Sequence, residues 1–268
     1  MVIIAPSVLG YQEGRGIEGH EGDIRALLEE GIQDLHIDIM RNPFTPGTDR
    51  FDNDAIGYVC STFAGIARLD FHLMIHTPDE MIDSLAKLLG EREQHTITIH
   101  REAYRPLDKW YTSKEYDLLR EAEVEDLLPE VQTQLREAQQ RSGERVLAQL
   151  DHIATLGFQA GIALEPGTSL ENVTEEMAAK VRRLLLMSVC SGAGGQAYIP
   201  DVTQKIRDAR TRYPSLMIQV DGGINAETGM EASRAGAGNL VVGSYITRTA
   251  NPAYKARELQ MMLRGASR

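Results

Sequence analysis

The segment His36-Ile37-Asp38-Ile39-Met40 sets an imidazole, a carboxylate and a thioether at alternate positions. Alternate side chains of a strand share one face, so these three converge on one spot. Phe71-His72-Leu73-Met74 repeats the histidine and methionine of that pattern, and Val220-Asp221-Gly222-Gly223 adds a second carboxylate before two glycines. His36, Asp38, His72 and Asp221 are therefore a candidate set of ligands for a divalent metal. Such a set supports proton abstraction beside a ketone. A cation stabilises the enediolate as a Lewis acid, one carboxylate removes the proton, and the other returns one from the opposite face. Asp38 and Asp221 are the candidate catalytic bases, and a site of this kind inverts a stereocentre. His36 and Asp38 alone would read as a hydrogen-bonded pair within a strand; His72 and Asp221 at further strand ends turn the reading toward chemistry.

The elements that must carry these residues follow from the alternation of short apolar runs with longer amphipathic ones. Strands are expected near residues 2–5, 35–39, 69–75, 95–100, 160–164, 184–189, 216–220 and 239–242. Helical stretches lie between them, among them Pro78 to Leu89, with a Met81, Leu85 and Leu88 stripe, and Pro252 to Leu263. Eight such units predict an α/β fold, a (β/α)8 TIM barrel forming one domain over residues 1–268. Ser7, Asp38, His72, His100, Glu165, Met187, Asp221 and Gly243 fall just past the strand ends, where barrel enzymes keep their chemistry. The interval from His100 to Glu165 is about twice the others, which places a helical insertion after strand four, from about Tyr104 to Arg145. Its helices are expected at Ser113 to Leu128 and Glu130 to Leu156. Following strand four directly, it should rise from the catalytic face, with Tyr104, Arg105 and Trp110 suited to gripping a polar substrate. A lid and a subunit interface are equally weighted readings of it.

Three glycine-rich loops come late in the chain: Gly192-Ala193-Gly194-Gly195-Gln196, Gly222-Gly223 and Gly243-Ser244. Each alone is an ordinary turn. At three successive strand ends, their backbone N–H groups form a cradle for a phosphate. Met40, Met74 and Met187 flank the ligand set as an apolar, polarizable lining. His100 ends strand four and is a candidate substrate contact, whereas His20, His76, His95 and His152 lack convergent partners and read as structural or solvated. All six lysines fall in expected helices or the insertion, so no strand offers one for a Schiff base. Cys190 reads as a pocket wall.

A net charge of -11 argues against a nucleic-acid or anionic-membrane surface, and no apolar run reaches membrane-spanning length. Two cysteines, Cys60 and Cys190, fit a reducing cytosol. The amino terminus lacks a basic leader, so a cytoplasmic location is expected.

These segments resemble the ribulose-phosphate 3-epimerases. Ile4-Ala5-Pro6-Ser7-Val8-Leu9, His36 to Met40, His72-Leu73-Met74, Met187-Ser188-Val189 with Gly192 to Gln196, Val220 to Gly223 and Gly243-Ser244 look like that family's signature segments in order. The resemblance implies a metal-dependent barrel isomerase that epimerises a phosphorylated ketose, ribulose 5-phosphate or a relative, and works as a homo-oligomer. It implies one divalent ion per chain (zinc, iron, manganese or cobalt) on His36, Asp38, His72 and Asp221. Ser7 and Gly192 to Gly195 would contact the substrate, and Gly222, Gly223, Gly243 and Ser244 its phosphate. The chain departs from the family pattern at Arg41-Asn42-Pro43-Phe44-Thr45-Pro46, where Asp-Gly-His-Phe-Val-Pro is common. It departs again at Cys190-Ser191, for Asn-Pro, and at Glu165, for asparagine. A phosphate-binding barrel lyase or decarboxylase is the rival enzyme, but a strand-borne D-x-K motif is missing. A non-catalytic sugar-phosphate sensor is the rival from another class; retention of both aspartates and both histidines weighs against it.

Overall fold

The computed structural model describes residues 2–12, 16–104 and 129–266. Eight strands, β1 (Ile3–Pro6), β2 (Asp34–Met40), β3 (Arg68–Met74), β4 (Thr96–His100), β5 (Gln159–Leu164), β6 (Arg183–Met187), β7 (Met217–Asp221) and β8 (Asn239–Val242), form one parallel sheet. Its order is β1-β8-β7-β6-β5-β4-β3-β2, and a parallel bridge between Ser7 and His36 joins the two outer strands into a TIM barrel. Every expected strand is present, displaced by at most two residues at either end.

Strand alternation divides the side chains into two sets. Ile37 and Ile39, Phe71 and Leu73, Ile97 and Ile99, Leu184 and Leu186, and Ile218 and Val220 point outward and pack with the helices in the main apolar core. The opposite set faces the barrel interior and is polar toward β2, β3 and β7. Parallel register aligns these residues in layers: His36 beside Asp70, Asp38 beside His72, and Met40 beside Met74. Met187 aligns with Asp221 across the β6–β7 pair. Among the described residues a smaller apolar cluster, Ala163, Leu185, Met187 and Val189, lies apart from the outer core.

The helix Asp79–Leu88 buries Ile82, Leu85 and Ala86, whereas Leu88 is 47% exposed. The buried stripe thus runs through 82, 85, 86 and 89, one step around from the expected one, because Leu89 fills the next position of the same face. The second insertion helix is present as Pro129–Thr155. The expected helix Ser113 to Leu128 lies outside the described residues, as do Arg105 and Trp110. Tyr104 is described, and it packs within the fold. Its ring is buried under the Arg145 guanidinium, 4.3 Å from the centroid, and its hydroxyl donates to Asp79 Oδ2 at 3.0 Å. A phenol with an apolar body and a satisfied tip anchors the base of the insertion to the neighbouring helix. Among the described residues no helix is long and apolar enough to cross a membrane.

Candidate active site

The carboxyl ends of β2, β3 and β7 bring His36, Asp38, His72 and Asp221 together, with one ligand atom from each lying within 4.8 Å of every other. Asp38 Oδ1 is 3.1 Å from His36 Nε2 and 3.0 Å from His72 Nδ1. Asp221 Oδ2 lies 3.7 Å from each of the same two nitrogens. The imidazoles are fully buried, and Asp221 keeps 15% of its side chain exposed. Two nitrogens and two carboxylate oxygens suit zinc or a neighbouring first-row ion, and nothing in this donor set selects one metal among them. The chain fits such an ion.

The electrostatics separate the two carboxylates. Burial opposes ionisation of Asp38, but the His36 charge and hydrogen bonds from His36 and His72 outweigh it and hold the carboxyl well below its usual range. Ser7 adds a hydroxyl that donates to Asp38 Oδ2 at 2.6 Å. Burial and then the negative charge of Asp38 push Asp221 up to about 8. Burial also lowers His72, to about 4, so its imidazole is neutral as a ligand requires. His36 is raised despite its burial, because Asp38 and Asp70 both face it.

Three groups absent from the expected site prove central to its support. Asp70 accepts from His36 Nδ1 at 2.8 Å and Gln219 Nε2 at 2.7 Å, and it pairs with the Arg183 guanidinium. The Asp70 carboxylate holds a hydrogen on His36 Nδ1, so Nε2 is the nitrogen turned to the cluster. The signal was present: Asp70 sits two residues before His72 on the same strand face, and Arg183 is a charge in an otherwise apolar strand, which demands a buried partner.

A cavity of about 580 Å³ opens above the cluster. Ser7, Asp38, Met40, Met74, Met187, Gly192, Ala193, Gly194, Gly195, Asp221, Gly222, Gly223, Gly243 and Ser244 all line it, as does Cys190. His100 does not. It lies behind His72, fully buried, with the two Nε2 atoms 2.8 Å apart. Gly222 and Gly223 have φ of 116° and 63°, and a Cβ on Gly223 would stand 2.4 Å from the Tyr198 nitrogen. Only glycine allows β7 to turn there against the β6 loop. Arg41, the first residue of the family departure, follows β2 directly. Its guanidinium turns from the cavity to donate to the carbonyls of Met40, Arg50 and Phe51, bracing the loop after β2.

The remaining histidines have partners elsewhere in the fold. His95 accepts the Leu69 N–H at 3.0 Å, His20 meets Asp23 at 2.9 Å, His152 meets Asp83 at 2.8 Å, and His76 packs against Phe44. No lysine lies on a strand among the described residues.

Fold and site together define a TIM-barrel enzyme whose mouth sets a buried cluster of two histidines and two aspartates beside a glycine-lined wall. The model of the ribulose-phosphate 3 epimerase family matches residues 3–114 and 131–247. A cytoplasmic isoform of ribulose-phosphate 3-epimerase from rice, Oryza sativa subsp. japonica, is 30% identical, over 98% of this chain and 95% of its own length. The ribulose-phosphate 3-epimerase of Chlamydia muridarum is 29% identical over the same shares. The chain belongs to the ribulose-phosphate 3-epimerase family, whose members are carbohydrate epimerases. Among solved structures, KGPDC from Streptococcus mutans shares the fold with a TM-score of 0.60 at 11% identity, covering 99% of this chain and 98% of that one. The 3-hexulose-6-phosphate synthase of Salmonella typhimurium does so with a TM-score of 0.57 at 14% identity, covering 99% and 100%.

Proposed function

We propose that this protein inverts the carbon next to the ketone of a phosphorylated ketose, ribulose 5-phosphate or a close relative, using Asp38 and Asp221 as its two acid/base residues. The observation that carries this reading is geometric: Asp38 and Asp221, from β2 and β7, both line the cavity and both face His36 Nε2 and His72 Nδ1. The Asp38 carboxyl favours its ionised form, which suits it to accept a proton, and Asp221 stands on a different strand as the second acid/base group. A divalent ion held by His36, Asp38, His72 and Asp221 would supply Lewis-acid stabilisation of the enediolate. Asp38 takes the proton from one face of the substrate carbon, and Asp221 delivers its own from the other. After turnover the two have exchanged states, and the same residues run the reaction in reverse. Ser7 orients the Asp38 carboxylate. Met40, Met74 and Met187 keep water from the reacting carbon, and the N–H groups of the Gly192, Gly222 and Gly243 loops grip the phosphate.

Elemental analysis of the purified protein should find about one divalent ion per chain. Chelation should abolish epimerisation, and the ion should restore it. Full activity in exhaustively chelated protein would remove the metal from the reading.

A further inference from the structure

The two ligand histidines are supported in different ways. Behind His36 the second ring nitrogen meets the Asp70 carboxylate directly. Behind His72 stands another imidazole, stacked at 4.9 Å between centroids, with the two Nε2 atoms 2.8 Å apart. Two ring nitrogens this close require a hydrogen on one and a lone pair on the other. His72 Nδ1 faces Asp38 and Asp221, so it is the nitrogen turned to the cluster, and Nε2 is left to bear the hydrogen. His100 Nε2 is then the acceptor, and the second hydrogen sits on His100 Nδ1. Two carboxylates face that hydrogen, Glu102 Oε2 at 3.3 Å and Glu165 Oε1 at 3.5 Å.

Both carboxylates are fixed in place. Glu102 is 2% exposed, and its other oxygen accepts from the Thr168 hydroxyl and from the Glu165 N–H at 3.2 Å. Glu165 accepts from the Ser191 hydroxyl and from the Ser191 N–H at 3.3 Å. Glu165 and Ser191 are both departures from the family pattern, and here they are bonded to each other. The two changes are one linked feature, which brings a second carboxyl group to the far end of the hydrogen-bond chain.

We propose that Glu102, acting through His100 and reinforced by the Glu165–Ser191 pair, fixes the hydrogen on His72 Nε2 and thereby sets the affinity of the cluster for its metal. Each hydrogen bond in the chain polarises the next, so the Glu102 carboxylate, with the Glu165 carboxyl beside it, makes the His72 Nδ1 lone pair a stronger donor. His100, Glu102 and Glu165 are positioning residues, since none lines the cavity. The inference rests on the metal reading of His36, Asp38, His72 and Asp221.

The test uses the full chain, with zinc as the probe. Zinc dissociation constants are measured by competition with a chromophoric chelator, and the His72 tautomer is read from long-range proton–nitrogen NMR correlations. Glu102→Gln and His100→Leu should weaken zinc binding about tenfold to a hundredfold. Glu165→Asn should weaken it several-fold, and His100→Gln, which returns an acceptor oxygen to His72, should recover part of the loss. Thermal unfolding without zinc confirms folding; should His100→Leu fail to fold, the near-isosteric Glu102→Gln and Glu165→Asn decide. Tight wild-type binding with unchanged constants in the folded Glu102→Gln and Glu165→Asn proteins overturns the inference and leaves the metal reading standing, as does a hydrogen found on His72 Nδ1. A wild-type chain that binds no zinc overturns both.

Discussion

Replacing Asp70 with asparagine should produce two separable losses. Asp70 is 1% exposed, and one of its oxygens takes the His36 hydrogen bond, the Gln219 amide and the Arg183 guanidinium. The amide keeps the shape but removes the charge, leaving Arg183, whose side chain is 11% exposed, against a neutral group. Breaking a buried ion pair by neutralising one partner costs about 3–5 kcal/mol. At roughly 2–4 °C per kcal/mol for a chain of this size, Tm should fall by about 6–20 °C in a scanning-calorimetry trace. Independently, His36 loses the anion that fixes its tautomer, and metal affinity should drop about tenfold to a hundredfold in a chelator competition. The double variant Asp70→Asn with Arg183→Met tells the effects apart. Removing the stranded guanidinium should recover much of the Tm while metal binding stays weak. Wild-type Tm and wild-type affinity in Asp70→Asn, or recovery of both in the double variant, would refute the reasoning.

Asp38→Asn and Asp221→Asn should each lower kcat about a hundredfold or more in steady-state assays of proteins whose metal content has been matched. Retained turnover in metal-replete Asp221→Asn removes that residue from the proton transfer. Gly223→Ala places a Cβ 2.4 Å from the Tyr198 nitrogen at a φ of 63°, which strains the backbone by about 1–2 kcal/mol before the clash is relieved. Its KM for a ketose phosphate should rise about tenfold or more, with kcat less affected, and an unchanged KM would show that this turn does not shape the phosphate cradle.

The barrel was legible because each strand is short, apolar and bounded by polar or glycine residues, and because parallel strands buried on both faces leave that signature. The ligand cluster was legible for a related reason. His36, Asp38, His72 and Asp221 interrupt apolar strands at positions whose alternation points inward, and an ionisable group there needs either a partner or a purpose. Support for the cluster was harder to read, since it depends on which strands are neighbours. Asp70 meets His36 only through the β2–β3 register, and Gln219 reaches Asp70 across the barrel. His100 was recognised as a strand-end residue, yet its depth behind His72 follows from ring packing that spacing does not encode. Arg41 shows the opposite limit: a charge change in sequence does not say where the guanidinium points, and in three dimensions the side chain satisfies loop carbonyls. On the helix Asp79–Leu88, Leu85 is buried as expected, whereas Leu88 is not, because Leu88 and Leu89 are equally apolar and only packing distinguishes them.

Solvent-hydrogen incorporation during the first turnovers tests the two-base account most directly. Metal-loaded protein is given ribulose 5-phosphate and related ketose phosphates in deuterium oxide, and NMR and mass spectrometry read the substrate and the epimer at low conversion. If, as proposed, Asp38 removes the hydrogen on one face and Asp221 supplies a solvent-derived one on the other, nearly every molecule of epimer should carry one deuterium at the inverted carbon. Remaining substrate should carry little, and the chelated protein should give neither exchange nor epimer. Epimer that retains the original hydrogen, or exchange that persists without metal, would contradict the account.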